Sequence, residues 1–198
     1  MTLYPTEQWL VEYERHLNDS DALSSAGAGW GVDFDGDVYF VITDVPVEET
    51  ALGDLPEAAL EGVPEQLQGQ LADVPLEDAA ELIDDDVRDH LPERSSDLLR
   101  QVEEDVHDGT IYAYLALYDG GCEEVAVVGD PAERDVGFVL RGDYETWGGI
   151  VDGEVDPIAA VMGGDLEVEG DMQTVLEYSD ATMLLGEIAA EVESTHLF

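Results

Sequence analysis

The stretch DPIAAVMGGDLEVEGDM, residues 156–172, is the most informative part of this acidic chain. It opens with a short apolar run after a proline, as is typical of the start of a helix. The double glycine at 163–164 lets the chain turn sharply from helix to strand. Residues 166–169 then alternate apolar and acidic side chains, which predicts a strand with Leu166 and Val168 facing inward. Periodicity alone favours an ordinary core here, although the wall of an apolar ligand site has the same pattern.

The charge of the chain is its most unusual bulk property. The 198 residues suit a single domain, and the 44% apolar fraction is sufficient for a core. The net charge is −43, and all six basic residues are arginines. At about 1 M salt the Debye length falls to roughly 3 Å, which screens the self-repulsion of such a surface. The composition therefore predicts adaptation to a molar-salt cytoplasm, as in a halophile.

Several classes of function are disfavoured by the sequence. No basic patch is available to neutralise phosphates, so nucleic acid is not an expected partner. Residues 1–17 lack the basic and apolar regions of a signal peptide, and no apolar run reaches the 18 or so residues of a membrane span. The single Cys122 fits a reducing interior. We expect a soluble cytoplasmic protein without stable membrane insertion.

Helices and strands alternate along most of the chain. Strands are predicted within 30–45, with a hairpin turn at Asp35-Gly36, and within 110–121, 123–130 and 136–142, with a turn at 119–121. Helices are predicted at 143–151, after Pro157, and over the C-terminal part, where Ser179-Asp180 is the expected cap. The first helix is predicted over 6–18. Its apolar face consists of Trp9, Leu10, Tyr13 and Leu17.

Residues 46–108 have a different character, with prolines separating short acidic segments that carry apolar stripes. The pattern predicts a small helical subdomain between the first two strands. One predicted stripe consists of Leu82, Ile83, Val87 and Leu91. The other consists of Leu98, Leu99, Val102 and Val106.

The run from Gly137 to Tyr178 resembles the C-terminal half of the sterol carrier protein-2 (SCP-2) family. The similar pattern is a strand, a helix that ends in a Gly-to-Pro step (here 153–157), and a short apolar helix (158–162). A strand of the form G-x-L-x-V-x-G-D-M follows at 164–172. The resemblance extends less specifically to the preceding strands and the first helix. Residues 46–108 depart from the compact family pattern, so we expect an acidic helical insertion within a single domain that spans 1–198.

The resemblance implies an α/β (α+β) fold. It consists of a mainly antiparallel five-stranded sheet, with helices on one face that enclose an apolar tunnel for lipids or acyl chains. It implies no catalytic residue, no cofactor and no metal, and a lipid, isoprenoid, quinone or acyl chain as the ligand. Arg141 is the candidate partner for an anionic headgroup. The residues expected on the tunnel wall are Leu115, Leu117, Val127, Phe138, Leu140, Trp147, Ile150, Ile158, Val161, Met162, Leu166, Val168, Met172 and Leu176.

Two other functions are compatible with the sequence. An accessory or scaffold protein could present isoprenoid or quinone intermediates to partner enzymes, with 46–108 as a docking surface or as a lid over the tunnel. A di-metal carboxylate enzyme is the weaker alternative. Glu104-x-x-His107 and Glu193-x-x-His196 each match half of its signature, but such pairs arise by chance in a chain this rich in glutamate.

Overall fold

A computed structural model describes residues 2–198, apart from the side chain of Asp85. The strands are β1 (Thr2–Tyr4), β2 (Val38–Thr43), β3 (Ile111–Tyr118), β4 (Gly121–Val128), β5 (Phe138–Asp143), β6 (Glu167–Glu169) and β7 (Ser194–His196). The helices are α1 (Glu7–Asp19), α2 (Asp21–Ala26), α3 (Glu57–Leu60), α4 (Glu65–Leu71), α5 (Leu76–Leu82), α6 (Asp85–Arg88), α7 (Glu93–Glu104), α8 (Tyr144–Val151), α9 (Pro157–Gly163), α10 (Met172–Glu177) and α11 (Ser179–Ala189). Within residues 2–198, no helix combines the length and the apolar composition that crossing a membrane requires.

The central sheet has five strands in the order β4-β3-β2-β5-β6. Every neighbouring pair is antiparallel except β2 and β5, which run parallel. Because side chains alternate along a strand, Val38, Phe40 and Ile42 of β2 point into the main core, whereas Tyr39 and Val41 belong to a separate cluster on the outer face. The mainly antiparallel five-stranded sheet predicted from the sequence is confirmed.

Helices α1, α8 and α11 cover the inner face of the sheet. The predicted apolar face of α1 is buried as expected, and Thr6 accepts a hydrogen bond from the Trp9 backbone as its N-cap. Strands β1 and β7 pair in parallel and hold the two chain ends together, a feature that the sequence pattern does not reveal. Ser179, the predicted cap of α11, is its first helical residue. The N-cap position is Tyr178, whose side chain makes no capping hydrogen bond.

Helices α3–α7 lie between β2 and β3. The ends of this segment meet where the Val45 amide donates to the Gly109 carbonyl at 2.9 Å. In α7 the predicted stripe of Leu98, Leu99 and Val102 is buried. The other predicted stripe, from Leu82 to Leu91, does not form one helical face. The chain leaves helical geometry at Ile83 and starts a new helix at α6. Ile83 is consequently buried, while Leu82 is 64% exposed.

The two predicted turns have different outcomes. Asp119 and Gly120 both have positive φ, 47° and 82°, and join β3 to β4 as predicted. The predicted hairpin at Asp35-Gly36 is wrong. A hairpin turn joins two strands, but these residues follow α2 and only β2 comes after them. Gly36 is instead required by close approach, because a β-carbon there would lie 2.7 Å from the Gly31 Cα and 2.8 Å from the Leu117 carbonyl oxygen.

Candidate ligand-binding site

Two apolar cavities lie between the inner face of the sheet and the helices that cover it. Each has a volume of about 50 Å³, so a ligand larger than a few atoms must displace side chains to enter. They share four wall residues, Phe40, Leu140, Thr182 and Leu185. A few side chains of β2, β5 and α11 are therefore all that separates the two cavities.

The first cavity lies beside α2, α10 and the start of α11. An aromatic group closes one side of it, where the ring centroids of Trp30 and Phe138 are 4.9 Å apart and those of Trp30 and Tyr178 are 5.3 Å apart. Phe34 packs against the same group from the exposed loop before β2. The lining also includes Leu23, Val38, Leu117, Val175 and Ala181.

The second cavity lies beneath α1, α8 and α11. Trp9 stacks on Tyr13 at a centroid distance of 5.1 Å, and Phe40 packs against Trp147 at 4.9 Å. Burial raises the pKa of Tyr13 well above its usual range, so the phenol stays protonated. The lining also includes Tyr4, Leu10, Ile42, Ala113, Ile150, Val151 and Leu166.

Both walls are uncharged. Among the described residues that line the two cavities there is no aspartate, glutamate or arginine. Several polar atoms of the wall are paired with backbone carbonyls: Tyr13 Oη donates to Leu185 O at 2.8 Å, and Trp147 Nε1 donates to Val41 O at 3.0 Å. Such a site can hold an apolar molecule, but it offers no cation for an anionic group.

The cavities bring together a part of the predicted tunnel residues. Leu117, Phe138 and Leu140 line the first cavity, and Leu140 also lines the second. The other predicted residues on the second cavity are Trp147, Ile150 and Leu166.

The remaining predicted residues line neither cavity. Leu115 is fully buried in the core, and the half-buried residues are Val127, Ile158, Val161 and Val168. Met162, Met172 and Leu176 are 74%, 39% and 47% exposed. In α10 the buried residue is Val175 and not the predicted Leu176. The helix turns the face that carries Val175 toward the core.

Residues of α1, β2 and α11 complete the walls and were not assigned to the site from the sequence. The periodicity of α1 does identify Trp9, Leu10 and Tyr13 as facing inward, and alternation along β2 does the same for Phe40. These signals locate a core, and neither separates a cavity wall from close-packed side chains. Thr182 and Leu185 carry no distinguishing pattern.

Other candidate groups lie apart from the cavities. Arg141 follows Leu140 on β5 and therefore points to the opposite face of the sheet, so it cannot hold a headgroup in either cavity. His196 Nε2 is 3.0 Å from Asp152 Oδ1. Across the described residues, no group of three or more histidine, cysteine, aspartate or glutamate side chains is arranged to hold a metal. Burial raises the pKa of the Cys122 thiol to about 12, which leaves it a poor nucleophile.

Comparisons with known proteins agree with this architecture. Residues 89–182 match the model of the SCP-2 sterol transfer family. A crystal structure of sterol carrier protein 2 is similar to this chain with a TM-score of 0.56 and 21% identity, covering 94% of this chain and 97% of the other. The solution structure of a conserved hypothetical protein from Thermus thermophilus, described as a possible sterol carrier protein, has a TM-score of 0.57 and 20% identity over 96% and 90% of the two chains. No curated protein matches.

The family match and the shared fold confirm the resemblance to the SCP-2 family and the fold class predicted from the sequence. The matched range begins at residue 89, so it includes α7 as well as the elements from β3 to the start of α11.

Proposed function

We propose that this protein is a non-enzymatic carrier that holds a lipid or another apolar molecule between its sheet and the covering helices. The observation that supports this most is the pair of uncharged cavities with a common wall at Phe40, Leu140, Thr182 and Leu185. The match to a sterol transfer family and the similarity to a sterol carrier structure point to the same class of ligand.

The two cavities become one tunnel when a ligand displaces the side chains between them. Leu185 is the side chain best placed to move, because it is only half-buried and belongs to both walls. About ten buried methylene groups contribute on the order of 8 kcal/mol gross. A micromolar dissociation constant requires about 8 kcal/mol net, so after the loss of translational and chain freedom a ligand must bury more than ten methylene groups to reach the micromolar range.

The chemistry of the wall favours an uncharged or weakly polar ligand: an isoprenoid, a quinone or an acyl chain. The same wall fits a carrier without catalysis. Its polar side chains are Thr182, Tyr4, Tyr13 and the tryptophan indoles, and neither a thiol nor a carboxylate lines it. Cys122, with its raised pKa, lies outside both cavities.

We further propose that the helical segment 46–108, of which residues 46–88 lie outside the range matched by the family model, serves as a docking surface for a protein partner and not as a lid. None of these residues lines either cavity. Leu82 and Val87 are 64% and 42% exposed, and a partner that covers this segment would bury both. A double variant with serine at both positions should leave the rate of ligand release unchanged, whereas a lid would release its ligand at an altered rate.

Cavity-filling variants test the carrier function. Protein purified from a halophilic host in molar KCl should carry a lipid that native mass spectrometry and solvent extraction both detect. Ala181→Leu fills the first cavity and Ala189→Leu the second, so each should lower occupancy severalfold. Ala159→Leu adds the same group on the exposed side of α9 and should retain the lipid.

The proposal fails if the wild-type protein is empty and also takes up no quinone, isoprenoid or fatty acid. It fails equally if both filled variants, shown by urea unfolding to be folded, bind as much lipid as Ala159→Leu does.

A further inference from the structure

Two residues that line the second cavity carry buried hydrogen-bond donors without an acceptor. Tyr4 and Trp9 both line this cavity and are 1% and 7% exposed. Tyr4 Oη and Trp9 Nε1 are shielded from solvent, and neither has a hydrogen-bond partner within residues 2–198. Buried donors in folded proteins are nearly always paired, so an unpaired pair in one cavity calls for a physical reason.

Comparable side chains nearby are satisfied. Trp30 Nε1 donates to Gly36 O at 2.7 Å, and Trp147 Nε1 donates to Val41 O at 3.0 Å. Tyr13, which lines the same cavity, donates to Leu185 O at 2.8 Å. The fold therefore supplies backbone acceptors to the other two indoles and to the neighbouring phenol, and leaves Tyr4 and Trp9 without them.

The two side chains that carry these donors pack against each other. The ring centroids of Tyr4 and Trp9 are 4.9 Å apart, with the planes at 76°. A ligand that brings acceptor oxygens to these two side chains can supply the missing hydrogen bonds. An unsatisfied buried donor costs about 1–3 kcal/mol, and a ligand that supplies the acceptor recovers part of this.

The surroundings of the donors determine the charge of that acceptor. No arginine lines the cavity. Burial, with smaller contributions from Tyr144 and the carboxylate of Asp152, holds the pKa of Tyr4 well above its usual range. Tyr4 therefore remains a donor, while the negative potential of Asp152 and the missing counter-charge disfavour a carboxylate or a phosphate.

We infer that the second cavity recognises the uncharged carbonyl oxygen of an otherwise apolar ligand through Tyr4 and Trp9. This inference rests on the proposed carrier function and specifies its ligand. The carbonyl end lies beneath α1 and α8, and the apolar remainder extends past Leu140 and Leu185 into the first cavity.

A matched pair of ligands tests the inference. Diphenylhexatriene, a fluorescent hydrocarbon without hydrogen-bonding groups, is bound first in molar KCl. It is then displaced by 2-pentadecanone or by n-pentadecane, both delivered from cyclodextrin. Two neutral hydrogen bonds should make the ketone about tenfold the better competitor for the wild-type protein.

Three variants separate recognition from stability. Tyr4→Phe should reduce the preference for the ketone about threefold without lowering stability, because the hydroxyl that it removes has no partner. Trp9→Phe should reduce the preference similarly, at some cost in stability from the lost volume. Tyr13→Phe removes a phenol whose hydrogen bond is internal, so it should destabilise the protein and leave the ratio between ketone and alkane unchanged.

The outcomes are distinct for the two proposals. If diphenylhexatriene binds but ketone and alkane compete equally, the donors are satisfied within the protein, by trapped water or by a ring face, and this inference is wrong while the carrier function stands. If diphenylhexatriene, the ketone and the alkane all fail to bind, both the inference and the carrier function are wrong. A preference that Tyr4→Phe and Trp9→Phe both leave intact also overturns the inference.

Discussion

Replacing Asp105 with asparagine should stabilise the protein near neutral pH and leave its stability unchanged in acid. Asp105 is half-buried at the C-terminal end of α7, where the helix dipole already disfavours negative charge. Burial, and then the neighbouring carboxylates of Glu104, Glu7 and Glu133, raise the pKa of Asp105 from its usual 3.8 to about 6.

The direction of the effect follows from the raised pKa. The folded state holds the Asp105 proton more tightly than the unfolded state does, so the free energy of unfolding falls as the pH rises from about 4 through about 6. The full difference between the two pKa values corresponds to at most about 3 kcal/mol. Because the group is half-exposed and the solvent is molar salt, we expect about 1 kcal/mol. Asparagine carries no charge and avoids this loss.

Urea unfolding in molar KCl, followed by circular dichroism, measures the effect at pH 7.5 and at pH 4. Asp105→Asn should exceed the wild-type free energy of unfolding by about 1 kcal/mol at pH 7.5 and match it at pH 4. Asp73→Asn, at an exposed position, controls for the loss of one charge from a very acidic chain. The reasoning is refuted if Asp105→Asn is no more stabilising than Asp73→Asn at pH 7.5, or if its gain is the same at both pH values.

Two further predictions concern the turns and the charge of the chain. Gly120→Ala should destabilise the fold by about 3 kcal/mol or more in urea unfolding, because φ is +82° and the new β-carbon would lie 2.5 Å from the Ser24 carbonyl oxygen. Gly164→Ala has a similar φ of +86° with open space around it, so it should cost about 1 kcal/mol, and equal losses would contradict the steric argument. With a net charge of −43, the protein should lose several kcal/mol of stability when KCl falls from about 2 M to about 0.1 M, where the Debye length is near 10 Å. Unchanged urea midpoints across this range would refute the predicted adaptation to molar salt.

The elements that the sequence predicts correctly are those specified by neighbouring residues. In α9, Asp156 caps the helix by accepting from the Ala159 backbone amide at 2.7 Å, and Gly164 ends it with φ of +86°. Both residues belong to the stretch 156–172, so the helix, the turn and the following strand can be inferred without knowledge of their environment. The inward face of α1 and the hairpin between β3 and β4 are local in the same sense.

The predictions that fail involve contacts between distant segments. Asp35-Gly36 has the composition of a hairpin turn, but Gly36 is needed because the backbone near Leu117 passes close to it. The parallel pairing of β2 with β5 and of β1 with β7 joins residues far apart in the chain. The predicted wall positions Met162, Met172 and Leu176 are exposed because the orientation of a short helix is set by what it packs against.

The sequence by itself determined the acidic surface, the order of helices and strands, and the resemblance to a lipid-carrier family, because composition and short-range patterns encode these directly. Only the tertiary structure decided which apolar side chains surround empty space and which fill the core. It also revealed that Tyr4 and Trp9 lack acceptors while Trp30 and Trp147 have them. A hydrogen-bonding partner supplied by a remote backbone carbonyl is a property of three-dimensional proximity, which periodicity cannot express.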